Sequence, residues 1–228
     1  MVIKKSASHV PVLAPLGAPV QRANRVYDAL VDGIIKGEVA PGAQLNVDNI
    51  ALQLKVSPTP IRDALNRLVE DGLVNKVPYQ GWFVCRLEEP EIRDLYEMRA
   101  SLECFGIGLA CARITPEELD RLQALQETGD AELARGDMEA YRLYNKEFHL
   151  CIMRAAKNSQ LPAVFGQISL KTQVLSTKTI QSGRASRAVQ EHRSLLRHIA
   201  NRDASAAQAL MQEHILGALE DVLFHDIG

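Results

Sequence analysis

Apolar residues recur every three or four positions along most of the 228-residue chain, the spacing that places them on one face of an α-helix. The first such stretch covers residues 22–36, the second begins near Asn46, and the third runs from Ser57 to Asp71. Glycine or a Pro-Gly pair follows the first and the third, as expected where a helix stops. The pattern predicts three short helices in the first third of the chain.

Two runs rich in β-prone residues follow the third helix, LVNKV at 73–77 and WFVCRL at 82–87. The four residues between them, 78–81, include proline and glycine and are typical of a hairpin turn. A winged helix-turn-helix has this order: three helices, with a tight connection between the second and the third, and then a hairpin. We predict such a domain over residues 21–87.

From Pro90 onward the spacing is helical and gives no strand signal. Breaks at glycine, proline and Asn-Ser positions divide residues 90–228 into six or seven helices, which we expect to form an antiparallel bundle with room for a ligand. Residues 1–20 contain three prolines and no period, which predicts a flexible arm. The predicted fold class is mainly α, with an N-terminal winged helix-turn-helix and a C-terminal all-helical bundle.

Charge is distributed unevenly between these regions. Residues 21–87 carry eight basic and seven acidic side chains, and residues 88–228 carry 16 and 21. Binding to a polyanion would therefore depend on a few placed residues of the first domain.

No run of about 18 apolar residues could span a bilayer and no signal peptide is evident, so we expect a soluble, cytoplasmic protein without membrane contact. The cysteines form no CxxC pair, which favours small buried side chains over a disulfide or zinc framework. They are Cys85, Cys104, Cys111 and Cys151.

The third helix begins in the stretch SPTPIRDAL, where two prolines flank one threonine. With Ser57 as N-cap, Pro58 and Pro60 fall at positions whose backbone N–H has no partner within the helix. We favour Ser57 as the cap. Thr59 is the alternative, because it precedes Pro60 and a residue before proline avoids the α conformation. In either case a helix N-terminus carries partial positive charge and suits a phosphate.

Beyond this start, Arg62 and Asn66 lie one turn apart on the face opposite the apolar positions, with Arg67 adjacent. Arginine and asparagine are the side chains that read guanine and adenine edges in the major groove. Any one of them alone would be interpreted as a solvated surface residue. Their shared place on the second helix of a helix-turn-helix favours DNA reading.

The stretch EVAPGAQLNVDNIALQLKVSPTPIRDALNRLVEDGLVNKVPYQGWFV resembles the DNA-binding domain of GntR-type transcription regulators. The resemblance covers the whole first domain and lies in the PG between helices 1 and 2, in SPTPIRDAL and in the EDGLV and GWFV segments. It implies that Thr59, Arg62 and the wing tip at Gln80-Gly81 contact DNA. The chain departs from the family at Pro58, where the family most often has arginine.

Three histidines fall on three different predicted helices, in YNKEFH, QEHRSLLRHI and MQEHI. They are His149, His192 and His214, and Asn145 lies one turn before His149. Helices that converge inside a bundle can place such side chains around a metal ion. Spacing alone, however, favours ordinary histidines bonded to neighbours or solvent.

The segments EIRDLYEMRASLE, YNKEFH, EHRSLLRHI and ALMQEHI resemble the FCD ligand-binding domain of the FadR branch of GntR regulators, from about Pro90 to Phe224. Metal-binding members of that family hold an ion with an Asp or Asn and three histidines. The resemblance therefore implies a divalent transition metal on Asn145, His149, His192 and His214, with zinc first and nickel or another first-row ion as alternatives.

Arg99 and Glu103 match the RxxxE of the same family pattern. One interpretation is a simple salt bridge between neighbouring turns, worth about 0.3–0.5 kcal/mol if exposed. The other is that Arg99 points inward and pairs with the carboxylate of an effector that the metal also binds. The sequence leaves both open.

Together these features predict a homodimeric transcription regulator that binds double-stranded operator DNA under the control of a small carboxylic acid. Two alternatives remain at this stage, a regulator with a structural metal or none, and a metal-dependent hydrolase. The hydrolase is less favoured because no acid or base stands at a recognisable catalytic spacing from the histidines.

Overall fold

The computed structural model describes residues 20–176 and 183–226, so the predicted arm at 1–20 lies outside the described residues except for Val20. Within those ranges the chain forms nine helices and three short strands. In chain order they are α1 (Val20–Ile35), β1 (Gln44–Leu45), α2 (Val47–Leu54), α3 (Pro58–Glu70), β2 (Val74–Val77), β3 (Gly81–Val84), α4 (Glu89–Arg113), α5 (Pro116–Arg135), α6 (Met138–Ala155), α7 (Leu161–Ser176), α8 (Arg184–Ala200) and α9 (Ala204–Asp226).

The first unit is a winged helix-turn-helix, as predicted. Strand β3 lies between β1 and β2 and is antiparallel to both, with Val74 opposite Val84. The sequence did not predict β1, because two residues are too short to show a period of two. The core of this unit is built on the inward face of α3, whose four apolar side chains are fully buried. These are Ile61, Ala64, Leu65 and Leu68.

The ends of α3 follow the sequence-based interpretation. Ser57 is the N-cap, in an extended conformation with Pro58 at the first helical position, although its side chain makes no capping hydrogen bond. Gly72 follows the C-cap with φ +70°, a left-handed conformation that glycine adopts without strain. Helix α3 is thereby held at fixed length between a proline start and a glycine stop.

The second unit contains six helices in the described residues, α4 to α9. Long helix α4 packs along α9; α6, α7 and α8 pack against this pair, and α5 packs on α6 and α8. A capping box of Glu88 and Glu91 starts α4, and another of Thr115 and Glu118 starts α5. The core is filled by large side chains that are almost completely buried, among them Tyr96, Ile107, Phe148, Phe165, Leu195 and Ile199.

Helix α7 also packs against the winged helix. Leu170 and Val174 lie against the apolar core of the first unit. A second link is the ion pair between Lys36 of α1 and Glu139 of α6, 3.7 Å apart. The helix that packs against the winged helix, α7, is therefore one of the helices of the bundle.

The burial of the cysteines and the length and hydropathy of the helices can be compared with the sequence analysis. Cys111 is buried, but Cys85, Cys104 and Cys151 are only half-buried, so the prediction of buried cysteines was right for one of four. Among the helices of the described ranges, none is both long and apolar enough to cross a membrane.

Candidate nucleic-acid interface and metal centre

The outward face of α3 presents the side chains that were predicted to read DNA. Ser57 and Thr59 are exposed at the helix start, and Arg62 and Asn66 follow on the solvent side, opposite the buried Ile61 and Leu65. None of these polar side chains is engaged in the domain core. They form one continuous polar strip of the kind that enters a major groove.

Arg67 is placed differently from Arg62 and Asn66. Its guanidinium donates to Asn24 Oδ1 at 2.6 Å and lies 4.1 Å above the centre of the Tyr27 ring. The Tyr27 hydroxyl in turn donates to Asp71 at 2.6 Å. Arg67 thus has partners on α1 and joins α1 to α3, which sequence spacing on one helix could not reveal.

The wing tip brings forward a residue that the sequence analysis missed. Tyr79 is fully exposed and has φ +63°, a left-handed conformation that is rare for an aromatic residue. The next residue, Gln80, is also exposed, and its carbonyl accepts from Gln44 Nε2 at 2.7 Å. Gly81 has φ +106°, which only glycine adopts readily. An aromatic residue in the middle of a predicted hairpin turn was the available signal for Tyr79.

The three histidines that were singled out in the sequence converge in the centre of the bundle. His149 comes from α6, His192 from α8 and His214 from α9, and all three are buried. The Nε2 atom of His214 lies 3.3 Å from Nε2 of His192 and 3.3 Å from Nε2 of His149. Three ring nitrogens therefore point at one another in the interior.

Carboxylates hold the outer nitrogens of two of these rings. Nδ1 of His149 bonds to Glu103, and Nδ1 of His214 lies 2.6 Å from Glu191 Oε2. Burial by itself raises the pKa of Glu103, but the adjacent His149 and Arg99 outweigh it and lower the pKa to about 2. An ionised carboxylate only accepts hydrogen bonds, so Nδ1 of each ring carries a proton, and Nε2 is the lone-pair atom of the neutral form.

A chain of neutral hydrogen bonds orients the third ring. The Gln126 amide nitrogen donates to the carbonyl of Val189 at 3.2 Å, which turns the amide oxygen toward Tyr144. The Tyr144 hydroxyl donates to that oxygen at 2.8 Å and therefore accepts from Nδ1 of His192, also at 2.8 Å. As in the other two rings, Nε2 of His192 presents a lone pair.

The electrostatics of the cluster keep the rings of His192 and His214 neutral. Burial and the neighbouring imidazoles lower the pKa of His192 well below its ordinary value, and burial is the main cause that lowers the pKa of His214 to about 4. Neutral imidazole is the form that binds a metal. Ligands at about 2.0–2.1 Å from a tetrahedral ion are separated by about 3.3–3.4 Å, which matches the observed spacing of the Nε2 atoms.

A cavity of about 60 Å³ adjoins this cluster. Asn145, the predicted fourth ligand, is half-buried in its wall together with His149 and His214. The remaining wall includes two arginines and several hydroxyl groups, from Tyr96, Arg99, Tyr141, Ser169, Thr172, Ser176 and Arg184. Such a wall suits a small anionic molecule with several oxygen atoms.

Arg99 and Glu103 form the salt bridge that their spacing predicts, and Arg99 also points inward, to the cavity. They form an ion pair, with Arg99 Nε 2.7 Å from Glu103 Oε1, but the pair is buried and not exposed on the helix surface. Arg99 lines the cavity and lies 3.5 Å from Thr172 Oγ1, whereas Glu103 is not among the cavity residues and instead supports His149. The two residues thus have different places in the site.

Two further cavity residues were not found from the sequence. Arg184 is buried, donates to the carbonyl of His214 at 2.7 Å and pairs with Glu191 at 3.1 Å. The hydroxyl of Tyr96 is buried and has no hydrogen-bond partner within the described residues. Neither belongs to a spacing pattern with the histidines, so only packing brings them there.

The fold is that of a two-domain DNA-binding protein, with a winged helix-turn-helix whose third helix is exposed and a helical bundle that encloses a polar cavity. Comparison with known proteins gives the family. The model "Bacterial regulatory proteins, gntR family" matches residues 22–84, and the FCD domain model matches residues 94–217. The chain belongs to the GntR family of bacterial regulatory proteins and carries an FCD domain.

Individual relatives agree. The Nta operon transcriptional regulator of Aminobacter aminovorans is 32% identical over 185 residues, which cover 80% of this chain and 86% of that protein. The HTH-type transcriptional regulator McbR of Escherichia coli (strain K12) is 35% identical over 116 residues, 51% of this chain and 52% of the relative. A solved structure of E. coli McbR/YncC shares the fold, with a TM-score of 0.78, 24% identity, and coverage of 90% and 98% of the two chains. The protein is therefore a DNA-binding transcription regulator, and the hydrolase alternative is set aside.

Proposed function

We propose that this regulator holds a divalent transition metal on His149, His192, His214 and Asn145, and that a small organic acid in the adjoining cavity controls its affinity for operator DNA. The observation that carries the proposal is the convergence of three buried Nε2 atoms, with that of His214 3.3 Å from each of the other two, on rings whose outer nitrogens are already bonded. Lone pairs in such an arrangement repel one another unless a cation lies between them.

The donor set favours zinc, with nickel or another first-row ion as alternatives. Imidazole nitrogens suit all of these ions, and Asn145 adds a neutral oxygen where an aspartate would add a charge. Glu103 and Glu191 compensate part of the ion's charge from behind the histidines. When bound, the ion would supply a positive centre for a carboxylate oxygen of the effector.

The organic acid is supported by the arginines of the cavity wall and by one unfilled hydrogen bond there. Arg99 and Arg184 bring positive charge to the cavity, and the Tyr96 hydroxyl offers a buried hydrogen bond that no protein group in the described residues fills. An unfilled buried polar group costs about 1–3 kcal/mol, which a bound carboxylate or hydroxyl would recover. A volume of about 60 Å³ for water-sized groups limits the effector to a small acid.

Helix α7 gives a physical route from this cavity to the DNA-binding unit. Ser169 and Thr172 line the cavity, and Leu170 and Val174 on the same helix contact the core of the winged helix. An acid that binds one position of α7 better than another would therefore change the placement of α3. It can shift DNA affinity only by that difference in binding free energy.

We also propose that the active form is a cytoplasmic homodimer on a pseudo-palindromic operator. Along α4 an apolar stripe faces solvent at intervals of three or four residues, with Met98 60% and Phe105 53% exposed and Leu102 and Leu109 partly exposed between and beyond them. A second copy of this chain would cover the stripe and present two α3 helices to successive major grooves.

Metal analysis of protein purified without an affinity tag tests the first part of the proposal. We expect about one transition-metal ion per chain, and its loss in His149→Ala. His198→Ala, a change outside the cluster, is the matched control and should keep the metal. Wild-type protein that carries no stoichiometric metal, even after incubation with zinc or nickel, would contradict the metal site.

A thermal-shift screen of small carboxylic acids, with and without a chelator, tests the effector. We expect at least one acid to raise the unfolding midpoint in a metal-dependent way and to change the affinity for DNA in a titration. Stoichiometric metal without any such acid would favour the alternative of a purely structural ion.

A further inference from the structure

A second polar feature of the winged helix lies away from the outward face of α3. Where the start of α1 meets the turn between α2 and α3, a groove of about 370 Å³ is open to solvent. Its floor is apolar, from Val26, Leu54 and Val56, and three cations stand around it, Arg22, Arg25 and Lys55. No acidic side chain of the described residues lines it.

These three cations, like Arg62 and Lys76, differ in their pairing from the remaining basic side chains of the unit. Lys36 lies 2.6 Å from Asp32, Arg86 lies 3.8 Å from Glu88, and Arg67 bonds to Asn24. By contrast, no hydrogen bond or ion pair joins Arg22, Arg25 or Lys55 to any described residue. Three like charges around one groove repel one another and attract an anion.

The position of the groove, beside the start of α3, indicates that the DNA backbone is the anion that could reach it. Lys55 is the C-cap of α2, in a left-handed conformation with φ 53°, and only Val56 separates it from Ser57, the N-cap of α3. The helix whose outward face carries Thr59 and Arg62 therefore begins directly beside the groove. DNA in contact with that face would bring its backbone to this side of the domain.

Two of the backbone donors that the start of such a helix normally offers to a phosphate are absent from α3. Pro58 and Pro60 have no backbone N–H. Pro58 further brings no side-chain charge. A DNA phosphate beside this helix start would therefore be bound more strongly if another part of the domain supplied cations.

We propose that Arg22, Arg25 and Lys55 bind phosphodiester oxygens of the DNA strand that flanks the α3 contact. The inference rests on DNA binding by the winged helix and adds a phosphate-binding site outside α3 and the wing. Contacts of this type position the protein without reading sequence. They release condensed counterions and so set the salt dependence of binding.

The test is the salt dependence of binding to a fluorescein-labelled duplex of mixed sequence, followed by anisotropy between about 50 and 200 mM salt. The variant is Arg22→Gln/Arg25→Gln/Lys55→Gln. We expect the slope of log K against log salt to become shallower by about 0.9 for each phosphate that is no longer neutralised, so by up to about 2.7 per bound chain. The single variant Arg22→Gln, at an exposed position, should show about one third of that change.

The matched control is Arg121→Gln/Lys157→Gln/Arg197→Gln, which removes the same charge from the helical bundle and should leave the slope nearly unchanged. A slope in the groove variants equal to that of the wild type overturns the inference. Wild-type protein that binds no duplex would instead overturn DNA binding itself, so the two failures are distinguishable. If the triple variant does not fold, as judged by circular dichroism, the single variants decide the matter by the same criterion.

Discussion

Gly129 in the middle of α5 offers a sharp test of how the metal centre is supported. A Cβ atom at this position would lie 2.6 Å from Cδ1 of Tyr144 and closer still to two other atoms of the ring. Tyr144 is the residue that orients His192, through the hydroxyl contact at 2.8 Å. Gly129→Ala should therefore push the Tyr144 ring away from the position that holds the third metal ligand.

The expected size follows from comparison with Gly166→Ala in α7, where a Cβ would meet nothing within 4 Å. Both glycines lie inside helices, so both variants gain about 0.5–1 kcal/mol from better helix propensity. Only Gly129→Ala adds the cost of overpacking, about 1–3 kcal/mol, or of the Tyr144 hydrogen bonds that break if the ring moves. Gly129→Ala should be less stable than Gly166→Ala by about 1–3 kcal/mol.

Urea unfolding of both variants measures this difference, and competition with a metal indicator measures the second consequence. A displaced supporting residue weakens metal affinity by about 10–100-fold, so Gly129→Ala should bind zinc more weakly than Gly166→Ala by that factor. Equal stability and equal zinc affinity of the two variants would refute the reasoning about Tyr144.

Three further outcomes are expected. Arg62→Ala should weaken specific DNA binding by about 1–3 kcal/mol in a gel-shift titration at fixed salt, and an affinity equal to that of Arg121→Ala would count against Arg62 as a reader. A chelator should lower the thermal midpoint of the wild type but not of His214→Ala, and an unchanged wild-type midpoint would speak against a stabilising metal. Phe105→Arg should shift the protein toward monomer in light scattering, whereas Leu143→Arg, at a comparably exposed position on α6, should not; a dimer in both would place the interface elsewhere.

Periodicity was sufficient for the helices and the wing because each of them is specified locally. The proline start and glycine stop of α3 were visible in the sequence and are found in the structure. The hairpin turn was predicted at 78–81 and is found at 78–80, because Gly81 already pairs as the first residue of β3. The missed strand β1 pairs with β3, a partner 37 or 39 residues further along the chain. Such a short strand exists only because its partner is present, so no local pattern announces it.

For the metal centre, the sequence determined the residue types and the helices that carry them, and family resemblance selected His149, His192 and His214 from six histidines. Only the tertiary structure decided that their Nε2 atoms meet, since that depends on how α6, α8 and α9 pack. The same holds for the supporting residues Tyr144 and Glu191 and for the buried Arg184 and Tyr96. A hydrogen bond between distant helices leaves no trace in spacing along one of them. The sequence thus determined the kind of protein, and packing decided the geometry of its site.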